Sequence, residues 1–158
     1  MRRSRAHSRR NSSEEFSDSA THPYWFASLL GLHASDWPDL LDSVGAGLPF
    51  RSYEKLVDAS GLSEASVMRW LQLAPRTLQR RKQHGRFDRG ESDRLLRAAR
   101  LLGKAIELFE GNREQATEWL ASEQPALGGR VPLSVADTDL GAREVENLMG
   151  RLEHGVFS

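Results

Sequence analysis

Asp88-Arg89-Gly90-Glu91-Ser92-Asp93-Arg94-Leu95-Leu96-Arg97-Ala98-Ala99-Arg100-Leu101-Leu102-Gly103-Lys104-Ala105-Ile106-Glu107-Leu108-Phe109-Glu110-Gly111 is the stretch that decides the fold. Asp88 stands three residues before Glu91, the spacing at which two side chains cap each other's backbone amides at a helix start. Apolar residues then recur at Leu95, Leu96, Ala98, Ala99, Leu102, Ile106 and Phe109, the 3.6-residue rhythm of a helix with one buried stripe. Gly111 stops it. Positions 95, 99, 102, 106 and 109 are spaced nearly as a heptad, which suits either a dimer seam or the chain's own core. Leu95, Ala99, Leu102, Ile106 and Phe109 are therefore the dimerisation candidates, although for at least half of them an intramolecular core is the simpler destination.

Upstream, the pattern becomes helical at Trp25, with Leu29, Leu30 and Leu32 before a short helix around residues 38–44. Gly45-Ala46-Gly47 breaks it. Ser52–Val57 is short and helical, closed by Gly61. Ser63 is placed to cap the next helix, where Val67, Trp70 and Leu71 form a buried face. Pro75 fits a first helical turn, and Arg76-Thr77-Leu78-Gln79-Arg80-Arg81-Lys82 follows, ending at Gly85. Downstream, Asn112 caps a helix containing Ala116, Trp119 and Leu120. Residues 125–132 form a loop, 133–136 a short turn, and a last helix runs from about Asp139 to Glu153. No segment alternates with period 2 over a useful length. The fold class is all-α, with three segments: 1–24 a basic arm, 25–87 a helix-turn-helix domain, and 88–158 a second helical domain with an extended tail.

Residues 1–20 of the arm hold Arg2, Arg3, Arg5, Arg9 and Arg10 with serines and one aromatic, Phe16, too little apolar surface to offset the entropy of ordering, which makes the arm disordered. It suits phosphate contacts and a solubilising leader equally well.

The chain has 158 residues, 22 Lys and Arg, and 22 Asp and Glu. Its zero net charge conceals a split. Residues 1–104 hold 18 bases against 12 acids, a net of +6, and residues 105–158 hold 4 against 10, a net of −6. The first part suits a polyanion, and the second suits a different partner. With no cysteine, disulfides, thiolate metal sites and cysteine nucleophiles are excluded. A cytoplasmic location fits, and no apolar run approaches the roughly 20 residues that span a bilayer.

Within 49–85 the best recognition helix is 75–83. Arg76, Arg80, Arg81 and Lys82 supply phosphate contacts, with Arg69 from the preceding helix. Thr77, Gln79 and Arg80 are able to read base edges, and Leu78 anchors the helix. Arg86 and Arg89 extend the positive surface. The five histidines show no metal-ligand spacing, and no phosphate-binding or nucleophile motif is present. Gly128-Gly129-Arg130 fits an anion-binding nest, and better a tight turn under the last helix. No active site, metal or cofactor is expected.

From about Leu73 onward the chain resembles the antitoxins of the Xre/MbcA/ParS group, partners of RES-domain toxins. The stretches that carry the likeness are Pro75–Lys82, Glu91–Arg97, Trp119-Leu120, Pro125–Arg130, Pro132-Leu133 and Arg151–Ser158. Gln124, Val131 and His154 depart from the group's usual Asn, Thr and Tyr. The resemblance implies an antitoxin whose carboxyl-terminal domain neutralises a toxin that consumes NAD⁺. It also implies a helix-turn-helix domain that binds the promoter DNA of its own operon, and a homodimer. Arg130, Arg151, Glu153, His154, Gly155, Val156, Phe157 and Ser158 are the candidate toxin contacts. A narrow apolar tail ending in a carboxylate fits a cleft that a helix does not, and buried Phe157 would contribute about 2 kcal/mol or more. The alternative is a stand-alone regulator whose carboxyl-terminal half dimerises or senses a ligand.

Overall fold

The computed structural model describes residues 22–155. Most of the basic arm, and Val156, Phe157 and Ser158 of the tail, lie outside the described residues. A 3-10 helix, Trp25–Leu30, leads into eight α-helices. They are α1 (Trp37–Ala46), α2 (Phe50–Ser60), α3 (Glu64–Trp70), α4 (Pro75–His84), α5 (Arg89–Leu108), α6 (Arg113–Leu120), α7 (Pro132–Val135) and α8 (Asp139–Glu153). A short 3-10 turn, Pro125–Leu127, sits between α6 and α7. The described residues contain no strand, only isolated bridges at Pro49–Arg86 and Gln124–Arg130.

Caps fix where the helices begin. Asp88 accepts from the Glu91 amide at 2.8 Å while Glu91 Oε2 accepts from the Asp88 amide at 2.9 Å, a complete capping box. Ser63, Asn112 and Thr138 cap α3, α6 and α8 in the simpler way.

Helix α5 is the spine, packed against the leading 3-10 helix and against α1, α2, α6 and α8. Its close approach to the 3-10 helix requires Gly103, since a Cβ there would lie 2.9 Å from Phe26 Cβ. Leu95, Ala99, Leu102 and Ile106 are at most 1% exposed, within one core that runs from Trp25 to Met149. This corrects their assignment to a dimer seam. Their stripe faces the chain's own helices, so a second copy cannot reach it. Phe109 is half-buried against the same core, its ring 6.4 Å from that of Trp119. Truncating any of the buried leucines would cost about 2–5 kcal/mol.

The α2–α4 segment is closed by its two ends. The Phe50 amide donates to Gly85 O and the Phe87 amide to Leu48 O, both at 2.9 Å. Gly47 makes the crossing possible: its φ is +85°, and a Cβ would stand 2.3 Å from Phe87 O.

Candidate functional site

Helices α3 and α4 meet through the turn 71–74, where Gln72 adopts φ +52°. That left-handed residue is held from behind. Arg94 of α5 donates from Nη1 to the carbonyls of Leu71 (2.9 Å) and Gln72 (3.1 Å). The spine helix thus sets the angle at which α4 is presented.

No residue of α4 is fully buried. Leu78 packs partly against the core. Arg76, Gln79, Arg80 and Lys82 are exposed and Thr77 is half-exposed. The helix carries no acid, and none of Arg76, Arg80 and Lys82 forms an ion pair among the described residues. This gives an unneutralised positive face on an exposed helix, the arrangement a polyanion meets first.

Arg81 belongs elsewhere. The sequence groups it with the phosphate contacts, but the structure commits its fork to the protein. Nε donates to Glu91 Oε2 at 2.7 Å, and Nη2 to Glu91 Oε1 and Asp88 Oδ2 at 3.1 Å each. Its guanidinium is held above its ordinary pKa, first by the Glu91 hydrogen bond and then by the charges of Glu91 and Asp88. Arg86 is also engaged, donating to Gly47 O at 2.7 Å. Arg69 is exposed on α3. It donates to Ser66 Oγ at 3.3 Å and borders a groove whose far wall is Ala121, Val131 and Leu133.

The carboxyl-terminal helices form the second candidate surface. Glu146 of α8 accepts from Arg100 Nε at 3.0 Å and Lys104 Nζ at 2.9 Å, docking α8 on the spine. At its start, α8 lies so close to α7 that Gly141 admits no side chain: a Cβ would fall 1.7 Å from Val135 O. The 124–130 loop is a tight turn. The amides of Gly128, Gly129 and Arg130 donate to the carbonyls of Pro125, Gln124 and Leu127, so no anion nest is open there. Arg130 projects from it, exposed. Arg151 is half-exposed, and Glu153, His154 and Gly155 are exposed at the end of α8. Among the described residues no group of three or more His, Asp or Glu is placed to hold a metal ion, and no helix is long and apolar enough to cross a membrane.

An all-α protein with a helix-turn-helix unit and a carboxyl-terminal helical unit on a shared spine is the class this geometry defines. Residues 39–100 match the antitoxin Xre-like helix-turn-helix domain, and residues 104–155 match the antitoxin Xre/MbcA/ParS C-terminal toxin-binding domain. The junction of the two matches falls inside α5. Antitoxin Xre of Yersinia enterocolitica serotype O:8 / biotype 1B is 38% identical over 130 residues, covering 82% of this chain and 88% of its own. Antitoxin Xre of Photorhabdus laumondii subsp. laumondii is 32% identical over 139 residues, covering 87% and 93%. A Prs ADP-ribosylating antitoxin of Sphingobium sp. is 33% identical over 76 residues, covering 43% and 48%. The chain belongs to the Xre/MbcA/ParS family of antitoxins.

Sequence reasoning identified α4 and the last helix but missed the residues that aim them. Arg94, Glu91 and Glu146 act across helix pairs, and local spacing carries no signal for such contacts. The capping-box position of Glu91 was the one visible hint.

Proposed function

We propose that this antitoxin neutralises a RES-domain toxin by occluding its NAD⁺ site with the tail 154–158, and represses its own operon as a homodimer through α4. The observation that carries the reading is the exit of α8. Its body is locked to the spine through Glu146, while Glu153, His154 and Gly155 stand exposed at its end. A helix held to the spine and ending in exposed residues fixes the direction of the plug at little entropic cost to the body. Phe157 fills an apolar pocket, Glu153 pairs with arginines that would hold a pyrophosphate, and Arg130 and Arg151 meet acids at the cleft rim. The antitoxin works by occlusion, so the isolated chain leaves NAD⁺ unconsumed, and its place of action is the cytoplasm.

For DNA, Arg76, Arg80 and Lys82 contact phosphates, and Thr77, Gln79 and Arg80 face base edges. Arg69 reaches the backbone from α3.

The test is inhibition of the toxin's NAD⁺ turnover by the full chain and by a chain lacking 154–158. Loss of inhibition with binding retained is expected. Undiminished inhibition by the shortened chain refutes occlusion by the tail.

A further inference from the structure

Helix α4 is steered more by polar contacts than by burial. None of its side chains is fully buried, so packing alone does not fix the angle at which it leaves α3. Its far end is held by Arg81 on Glu91 and by the Gly85 carbonyl, which accepts from the Phe50 amide. Its near end depends on the turn 71–74. There α3 closes as a Schellman motif: the Gln72 amide donates to Arg69 O at 3.1 Å and the Leu73 amide to Met68 O at 2.9 Å. The left-handed position of such a motif is usually glycine, which has no Cβ to strain. Here it is Gln72, one of two non-glycine residues with positive φ among the described residues. Gln72 is exposed, so burial of its side chain does not hold the conformation.

Arg94 supplies the hold. The Leu71 and Gln72 carbonyls belong to the two peptide units on either side of the Gln72 Cα. Arg94 Nη1 donates to both, at 2.9 and 3.1 Å, and so clamps the two planes whose relative rotation is the strained one. Arg97, Arg100 and Lys104 further along α5 are paired with acids, whereas Arg94 forms no ion pair among the described residues. Its half-buried charge is committed to the turn. We propose that Arg94 is a positioning residue for sequence recognition: it holds Thr77, Gln79 and Arg80 where base edges are read, without itself touching DNA. The inference rests on the reading of α4 as the helix that meets DNA. Its consequence is an asymmetric loss. Phosphate contacts are sequence-blind and tolerate a shifted helix, while base-edge contacts are short and directional. A relaxed turn keeps the first and loses the second, so Arg94 sets the ratio of specific to non-specific affinity.

The experiment measures binding of the full chain to a duplex carrying the promoter region of its own operon and to a scrambled duplex of equal length and composition, at several salt concentrations. Arg94→Ala is expected to bind the scrambled duplex as the parent does, with the same salt slope, and to lose roughly tenfold on the promoter duplex. Gln72→Gly, which takes the left-handed turn unaided, should restore most of that loss in the Arg94→Ala background and change the parent little. Gln72→Val loads the same turn with a β-branched residue while Arg94 stays intact, and should lower the ratio likewise even if Arg94→Ala fails to fold. An undiminished ratio in Arg94→Ala, or in Gln72→Val, overturns the positioning role and leaves the DNA reading standing. Equal losses on both duplexes overturn it as a general loss of folded protein, and a salt slope reduced by about one overturns it as a phosphate contact. A parent that binds both duplexes equally overturns the role together with the operator reading of α4.

Discussion

Arg81 and Glu91 are joined by a two-pronged hydrogen bond, Nε to Oε2 at 2.7 Å and Nη2 to Oε1 at 3.1 Å. Glu91 is only 5% exposed, and the same carboxylate completes the capping box of α5. One side chain thus starts the spine helix and fastens α4 to it. A paired fork of this kind is stronger and more directional than a single contact. Removing the carboxylate leaves the guanidinium with Asp88 as its one remaining partner and the Asp88 amide with none.

Glu91→Ala is therefore expected to destabilise the chain by about 2–4 kcal/mol. For a chain of this size that lowers the melting temperature by roughly 5–10 °C. Glu91→Gln keeps part of the cap and loses less. Thermal unfolding followed by circular dichroism makes the comparison; equal melting temperatures for Glu91→Ala and the parent would remove the latch from the account.

Arg80 is one residue away and behaves differently. It is exposed, on the face that carries no acid. Arg80→Ala should leave the melting temperature almost unmoved, weaken operator binding, and reduce the slope of log K against log salt by about one. Arg81→Ala should do the converse, lowering stability while leaving that slope nearly intact. Titrations at several salt concentrations, well below both melting temperatures, separate the two roles. Equal slopes for Arg80→Ala and the parent would move the DNA face off this part of α4.

What the sequence made legible here is whatever is local. Asp88 and Glu91, Ser63, and Asn112 sit within three residues of the amides they cap, so spacing alone places the helix starts. The stripe at 95, 99, 102 and 106 was equally visible as a buried face. Periodicity says that a face is covered and not by what, so the same residues fitted a dimer seam and an internal core until the fold placed 3-10, α2, α6 and α8 around them. Arg81 shows the same limit from the polar side. A base in a basic run looks like a phosphate contact unless the carboxylate ten residues on is known to fold back onto it. The exposed pair Trp37 and Leu41 was illegible for a related reason. Leu40 and Val44 on the same helix are buried, and only the packing angle of α1 decides which of the four meets water.

Tyr53 predicts an alkaline transition. Its ring is 1% exposed against Phe50 and Phe87, and its hydroxyl has no hydrogen-bond partner. Burial, then the charge of Glu64, pushes its pKa up to about 12. The folded chain therefore holds the proton more tightly than the unfolded chain, whose phenol titrates near its ordinary value of about 10. The stabilisation is complete below about pH 10 and is lost as pH rises toward about 12, on the order of 2 kcal/mol in all. Tyr53→Phe removes that slope. At neutral pH it costs little, because the hydroxyl it deletes is buried without a partner. Urea unfolding at neutral pH and across the alkaline range reads both effects. A parent and variant that lose stability in parallel above pH 10 would exclude Tyr53 as the cause.

Two glycines of α8 should respond to the same substitution with opposite signs. At Gly141 a methyl would fall 1.7 Å from the carbonyl oxygen of Val135, a backbone atom that cannot swing aside. Gly141→Ala must force α7 and α8 apart, at a cost of at least about 1–3 kcal/mol. At Gly150 a methyl meets nothing within 4 Å, and the residue lies inside the helix. Gly150→Ala removes unfolded-state freedom and should stabilise by about 0.5–1 kcal/mol. The two variants also bear on the proposed function, in which α8 directs the tail. Gly141→Ala should weaken toxin inhibition by displacing the helix as a whole. Gly150→Ala should preserve or improve it, since the last turns before Glu153 fray less. Melting curves and inhibition titrations on the pair form one experiment. A stable Gly141→Ala protein with full inhibitory power would mean that the contact of α7 with α8 is not what holds the tail in its working direction.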